Sequence, residues 1–334
     1  MTSYEDAGVD LAAADELIDR IGWRVTSTWT EDVVGGFGGF AAGIQLPPGF
    51  QNPVLMMSTD GVGTKAEIAR QAGLLEGLGY DLLAMVADDL AAAGAQPIAM
   101  TDYIATGKLD VDRIETIVES ITDACNDADV ALLGGETAEH PGIMPPDQFD
   151  LAATALGIVE LGEEVDPSNV APGDVIVGVV SPNLRSNGFS LIRAIVAKEL
   201  PLDSTFPDTD TSTAEVLLAP SVVYAPAVMN MVARVRPHGL AHITGGGLPG
   251  NIFRVLPEGS RAVIERSRWE VPNVFNVIQK LGGVPLGDMF RTFNMGIGLV
   301  IVTPPESVEV VLGTAKNEAV VIGKVVDGAQ VDYV

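Results

Sequence analysis

Three carboxylates beside glycine turns, with one lysine among them, are the residues of this sequence best suited to chemistry. Asp60 precedes Gly61-Val62-Gly63-Thr64-Lys65, Asp89 lies in an apolar run, and Glu136 follows Leu133-Gly134-Gly135. Glycines in such turns let backbone N–H groups approach an anion, and a lysine opening a helix sits where the helix terminus already favours phosphate. Taken alone, the first segment also reads as an ordinary Asp-Gly turn. Cys125 is the only cysteine and there are 3 histidines, so no Cys/His cluster competes. An all-oxygen set of this kind suits Mg2+ bridging nucleotide phosphates; a structural salt-bridge network is the other reading.

Asp89 carries the sharpest expectation. A helix over residues 80–93 puts Leu82, Met85, Val86, Leu90 and Ala93 on one stripe with Asp89 inside it. A buried carboxylate is costly unless a cation meets it, so Asp89 is expected to face Lys, Arg or a metal, while Asp88 projects to the side into solvent. In the second half, Ser186-Asn187-Gly188 and Thr244-Gly245-Gly246-Gly247 each precede a helix. Both are anion-binding helix starts or plain N-caps. His242 lies just before the second run and reads equally as a core histidine or a site residue; His140 and His238 are expected at the surface. The common nucleotide templates fail: Gly35-Gly36-Phe37-Gly38-Gly39-Phe40 is followed by Ala41 where a dinucleotide fingerprint needs glycine, and Thr64 stands where a P-loop needs glycine before lysine.

The elements that must position these residues alternate through the first half. Helices are expected at 11–21, 80–93 and 111–128, and strands at 54–58, 98–104, 130–133 and 151–159, the 130–133 strand ending at the paired glycines before Glu136. Residues 161–174 concentrate acids, Gly162, Pro167, Pro172 and Gly173, the composition of a connection, which divides the chain into domains 1–166 and 167–334. The second half restarts with a strand at 175–180, continues with helices at 190–198 and 212–235, and ends in a strand at 319–326. Residues 201–210 read as a surface loop.

At 334 residues and 47% hydrophobic, the chain exceeds a single core and has apolar surface to spend on a subunit interface. A net charge of −26 argues against nucleic acid or an anionic membrane as partner, since both require a positive field. Cys125 falls in an apolar-periodic run and reads as an inert core thiol. No signal pattern or membrane-length apolar run is present, so the cytoplasm is the expected location.

Read in order, the motifs resemble one family. Asp89-Leu90-Ala91-Ala92-Ala93-Gly94-Ala95-Gln96-Pro97 is similar to the D-x-x-x-x-G-A-x-P signature of the ADP-forming superfamily that holds the aminoimidazole ribonucleotide synthetases (phosphoribosylformylglycinamidine cyclo-ligases), selenophosphate synthetases, thiamine-monophosphate kinases and a hydrogenase maturation protein. The cyclo-ligase family is singled out by Tyr4-Glu5-Asp6-Ala7-Gly8-Val9-Asp10, the 35–40 loop, Thr59 to Lys65, Tyr103-Ile104-Ala105-Thr106-Gly107-Lys108, Gly134-Gly135-Glu136-Thr137-Ala138-Glu139, Ser186-Asn187-Gly188, His242 to Gly247 and Arg291-Thr292-Phe293-Asn294-Met295-Gly296. Asp88, Arg185 and His140 depart from the usual pattern, which has Asn, His, and Met or Gln-like residues there. Selenophosphate synthetase and the maturation protein need a cysteine this sequence lacks; thiamine-monophosphate kinase and a non-catalytic ATP-binding scaffold stay as rivals.

The resemblance implies an α+β, two-domain PurM-like subunit whose N-terminal sheet pairs across a homodimer into a barrel, followed by a mixed α/β domain. It implies ATP and Mg2+ as cofactors and formylglycinamidine ribonucleotide as substrate, cyclised to 5-aminoimidazole ribonucleotide by phosphorylation of the formyl oxygen. By the same resemblance Asp60, Lys65, Asp89, Glu136 and His242 form the catalytic set, with Asp60, Asp89 and Glu136 on the metal. Gly61, Gly63, Thr64, Thr106, Gly107 and Gly135 would line the nucleotide. Gly38 and Gly39, in a loop that closes over ligand, and Ser186, Asn187, Thr244, Gly245 and Gly246 would meet the substrate.

Overall fold

The computed structural model describes residues 8–315 and 318–333; Tyr4-Glu5-Asp6-Ala7 of the amino-terminal motif lie outside them. The chain forms two compact units: the first ends at Leu161 and the second runs from Gly162, with Ala91–Ala95 grouping with the second. That short insert is tied locally. The Val165 amide donates to the Ala93 carbonyl at 3.1 Å, and a Cβ on Gly94 would stand 2.9 Å from the Val165 nitrogen.

In the first unit the order is α1 (Leu11–Ser27), β1 (Val33–Val34), β2 (Gly43–Ile44), β3 (Pro53–Gly61), α2 (Lys65–Ala72), α3 (Leu78–Ala92), β4 (Gln96–Thr106), α4 (Val111–Asp127), β5 (Ala131–Glu139) and β6 (Phe149–Glu160). A four-stranded sheet has the order β3-β6-β4-β5, parallel only between β4 and β5. Helix α4 begins where the Asp110 side chain accepts from the Arg113 amide, and it buries Ile114, Ile117, Val118, Ile121 and Cys125 at helical spacing. On its charged side, Arg20 of α1 pairs with Asp112 and Glu115, and Arg24 with Glu119. Cys125 is buried as expected, and desolvation holds its thiol far above the ordinary range. Strand β5 does not stop at the glycines: it runs on through Glu136 to Glu139, because its ladder with β4 continues from Thr101↔Gly134 to Thr106↔Glu139.

The second unit contains β7 (Val175–Val180), α5 (Phe189–Glu199), α6 (Thr213–Leu218), α7 (Ala225–Val232), β8 (Gly239–His242), α8 (Gly247–Phe253), β9 (Ser260–Ile264), α9 (Asn273–Gly282), α10 (Leu286–Thr292), β10 (Ile297–Thr303), α11 (Val308–Thr314), β11 (Ala319–Asp327) and β12 (Val331–Tyr333). Its six-stranded sheet has the order β12-β9-β11-β7-β10-β8. Every residue of β10 is buried, which explains its unbroken apolar run. The single helix expected at 212–235 is two, α6 and α7. Pro220 cannot continue α6, and Pro226 belongs in the first turn of a new helix, where its missing N–H costs nothing. The 201–210 loop is anchored rather than purely superficial, since Phe206 is buried. Among the described residues no helix is long and apolar enough to cross a membrane.

Candidate functional site

The carboxylate end of the first unit is built by β3 and the turn that leaves it. Asp60 is exposed, and its Oδ1 accepts from the Gly61 amide at 2.7 Å. Gly61 has to be glycine, because a Cβ there would lie 2.9 Å from the Leu151 carbonyl, and Gly63 takes φ +67. Thr64 then caps α2 without a side-chain hydrogen bond. Lys65 follows at the helix start, but it does not point outward. Its side chain is fully buried and its Nζ lies 2.6 Å from Oδ2 of Asp81 on α3, also fully buried. The expectation of a lysine open to phosphate is corrected: its charge is met inside the unit.

The two neighbouring aspartates of α3 are reversed relative to expectation. Asp88 is buried and Asp89 exposed. The apolar stripe misled because α3 is enclosed nearly all round, with Leu82, Leu83, Ala84, Met85, Val86 and Ala87 each at most 5% exposed. Where every side is apolar, a stripe cannot say which position opens to solvent. The argument that a buried carboxylate needs a cation stands, and at Asp81 that cation is Lys65.

Glu136 is exposed in the middle of β5, opposite Tyr103. The register places Asp60, Ala153, Asp102 and Gly135 in one row across the sheet, and Gly61, Ala152, Tyr103 and Glu136 in the next. Side chains alternate between faces along a strand, so Asp60 and Glu136 point to opposite sides of the sheet. Among the described residues no three His, Cys, Asp or Glu side chains gather closely enough to hold a metal ion. The carboxylates have the right donor chemistry for Mg2+, and Asp60, Asp89 and Glu136 are not gathered into one three-ligand cluster among the described residues. Gly135 has a different duty. Oδ1 of Asp102 sits 1.5 Å from where its Cβ would be. Desolvation pushes the Asp102 carboxyl up to about 7. In the sequence it stands just before the Tyr103 to Lys108 motif, as one more polar strand position.

A cleft of about 740 Å3 in the same unit is lined by Asp10, Gly107, Lys108, Glu139, Pro141 and Met144 among others, within the size range of small-ligand sites. Glu139 braces it, with Oε2 accepting from the Asp10 amide at 2.9 Å and Oε1 from the Leu109 amide at 2.7 Å. Thr106 is buried, and its hydroxyl donates to the Lys108 carbonyl at 2.9 Å. Gly107 is required because a Cβ would fall 1.9 Å from the Pro145 carbonyl oxygen. Both residues therefore shape the wall, while the exposed Lys108 supplies charge. In the 35–40 loop, Gly38 and Gly39 are exposed, Phe37 packs against Gly22 of α1, and Phe40 projects fully into solvent.

The second unit brings its two glycine turns together. A Cβ on Gly245 would lie 3.9 Å from Oδ1 of Asn187. Nδ2 of Asn251 holds the second turn from below, donating to the carbonyls of Thr244, Gly245 and Gly247 at 3.3, 3.3 and 2.9 Å. Gly246 stays exposed at φ +95. The Oγ of Ser186 is buried with no hydrogen-bond partner among the described residues. Next to these turns, Arg185 is fully buried. Its guanidinium donates to the Val222 carbonyl at 2.6 Å and to Nε2 of His242 at 2.9 Å, and lies 4.8 Å over the Tyr224 ring. A guanidinium only donates, so Nε2 of His242 accepts and its proton is on Nδ1. His242, which the resemblance put in the catalytic set, thus has its Nε2 lone pair occupied by Arg185. His238, expected at the surface, is instead partly buried, its Nδ1 2.8 Å from Asp174; His140 meets the Tyr103 hydroxyl at 3.1 Å.

Comparison with known proteins gives a consistent picture. Residues 41–159 match the family described as AIR synthase related protein, N-terminal domain, and residues 171–334 its C-terminal domain. A phosphoribosylformylglycinamidine cyclo-ligase of Myxococcus xanthus (strain DK1622) is 42% identical over 322 residues, covering 96% of this chain and 93% of its own. One from Anaeromyxobacter sp. (strain Fw109-5) is 45% identical over 305 residues, covering 91% and 89%. Among solved structures, thiamine-monophosphate kinase from Stenotrophomonas maltophilia K279a superposes with a TM-score of 0.69 at 21% identity, covering 97% of this chain and 96% of that one. Hydrogenase maturation protein HypE in complex with ATP gives 0.71 at 21% identity, covering 96% and 89%. At that identity the two structures show the shared fold alone.

Proposed function

The chain belongs to the AIR synthase related family, and from that premise we propose that it converts formylglycinamidine ribonucleotide to 5-aminoimidazole ribonucleotide, with ATP going to ADP and phosphate, in purine synthesis in the cytoplasm. The observation that carries this reading is near-full-length identity of 42% and 45% with two proteins bearing the cyclo-ligase name.

The chemistry asks little of a side-chain nucleophile. A formyl oxygen is a poor leaving group until the γ-phosphoryl group is transferred to it. An amidine nitrogen then bonds to the formyl carbon, the carbon–oxygen bond breaks, the oxygen departs on phosphorus, and the nitrogen gives up a proton. Positioning and charge neutralisation dominate such a reaction. In this reading the backbone of the Gly61 to Thr64 turn, with Asp60 beside it, and Lys108 meet the nucleotide. In the second unit Asn187, Thr244, Gly245, Gly246 and the Ser186 hydroxyl, which has no hydrogen-bond partner among the described residues, meet the formylglycinamidine ribonucleotide. Mg2+ belongs here as the companion ion of ATP. A homodimer is part of the same reading. Met57 and Tyr103 are 71% and 41% exposed on the sheet face that also carries Thr59, Thr101 and Thr154, an apolar surface suited to a second copy.

The test uses substrate carrying ¹⁸O in the formyl group. Product is expected with one labelled oxygen delivered to phosphate per turnover. Unlabelled phosphate alongside product would overturn the phosphorylation route, and absence of product with turnover of thiamine monophosphate would overturn the reading itself.

A further inference from the structure

The buried pair of Lys65 and Asp81 lies directly behind the turn assigned above to the nucleotide. Lys65 is the first residue of α2, and the segment around it is immersed: Val62, Ala66, Ile68 and Ala69 are each at most 3% exposed. Asp81 comes from the first turn of α3, so the 2.6 Å contact joins the start of one helix to the start of another. For the ammonium to reach a ligand it would have to leave a carboxylate that is itself fully buried, stranding that charge in an apolar setting. Breaking a buried pair by removing one partner is strongly destabilising, whereas replacing both partners by apolar groups of similar volume is often neutral.

We infer that Lys65 and Asp81 are positioning residues: their internal ion pair fixes the backbone of the Asp60-Gly61-Val62-Gly63-Thr64 turn, and Lys65 makes no contact with nucleotide. The Gly61 and Val62 amides donate to Oδ1 of Asp60 and to the Leu151 carbonyl, so the pair sets where the exposed Gly63-Thr64 end of the turn stands, and that end, with Asp60 beside it, forms the nucleotide-facing surface. The helix start contributes through its backbone while its lysine serves the interior. This inference rests on the proposed ATP-dependent reaction for the role of the turn, but not for the pair itself.

The experiment compares the full-length chain with Lys65→Met, Asp81→Leu and the double variant, measuring kcat, KM for ATP and the urea midpoint of each. Each single variant is expected to raise KM for ATP at least about tenfold, with a smaller effect on kcat and a lower midpoint. In the double variant both kinetic constants should return to within about threefold of the parent. A double variant with the parent's midpoint but the raised KM of Lys65→Met would overturn the inference, because a folded protein would then be missing an ammonium that the nucleotide needs. Should the double variant fail to fold, amine acetylation of the parent decides: Lys65 is expected to stay unmodified with and without ATP. Modification that ATP suppresses would identify it as a nucleotide contact. A parent with no ATP-dependent turnover would sink the proposed reaction and the turn's role together, while the acetylation result would still report on the pair.

Discussion

Each unit buries a cation, and the two neutralise it by different means. In the first, Lys65 faces the carboxylate of Asp81. In the second, Arg185 is spread over the Val222 carbonyl, the His242 ring nitrogen and the face of Tyr224. A compact ammonium and the carboxylate facing it form a charge pair whose two members can be replaced together. A planar guanidinium knitted into backbone, imidazole and aromatic ring depends on its shape as much as on its charge, and no single replacement reproduces it. The difference teaches where charge is the essential quantity and where geometry is.

The largest effect should come from removing one half of the charge pair. Asp81→Leu leaves the Lys65 ammonium buried opposite an apolar group and is expected to cost about 3–5 kcal/mol in urea unfolding. A loss under about 1 kcal/mol would mean that Asp81 is not what neutralises Lys65. On the other side of the comparison, Arg185→Lys keeps the charge and loses the fork. It should cost about 2–3 kcal/mol, and nitrogen NMR should show the Nδ1–H tautomer of His242 in the parent giving way to a mixture. An unchanged tautomer would show that something other than Arg185 sets it.

The smallest effect sharpens the comparison with a carboxyl that is protected by neither device. Asp102 lies against Gly135, and desolvation raises it from 3.8 to about 7. The folded state therefore holds a proton that the unfolded state releases. That contribution is complete below the unfolded value near 3.8 and is lost as pH rises through about 7. Asp102→Asn, neutral at every pH, should match the parent near pH 4. Above pH 7 it should exceed the parent by about 1–2 kcal/mol, after discounting for partial exposure. Parallel stability curves for the two proteins from pH 4 to 8 would remove Asp102 as the titrating group.

Much of the architecture follows from local pattern. The helix expected at 111–128 is α4, Val111–Asp127; its apolar spacing and Asp110 cap are properties of neighbouring residues, and neighbours are what a sequence displays. The strand at 98–104 lies within β4, Gln96–Thr106, and Pro220 and Pro226 mark in the sequence the break that makes two helices of the one expected at 212–235. The ordered motifs from Asp60 to Gly296 likewise determine the family without any coordinates, because a family is a relation among sequences.

What only the tertiary structure decided are matters of which distant group faces which. The exposure of Asp89 and burial of Asp88 depend on what covers an almost wholly apolar helix. Lys65 looks like a phosphate contact until Asp81 is seen against it, and Gly135 looks like a phosphate turn until Oδ1 of Asp102 occupies its side-chain space. His242 reads equally as a core histidine or a site residue until Arg185, 57 positions away, takes its Nε2 lone pair. Periodicity and turn chemistry act over a few residues and can be read along the chain. A charge or lone pair is satisfied by whatever group folding brings within about 3 Å, and that choice belongs to the packed structure.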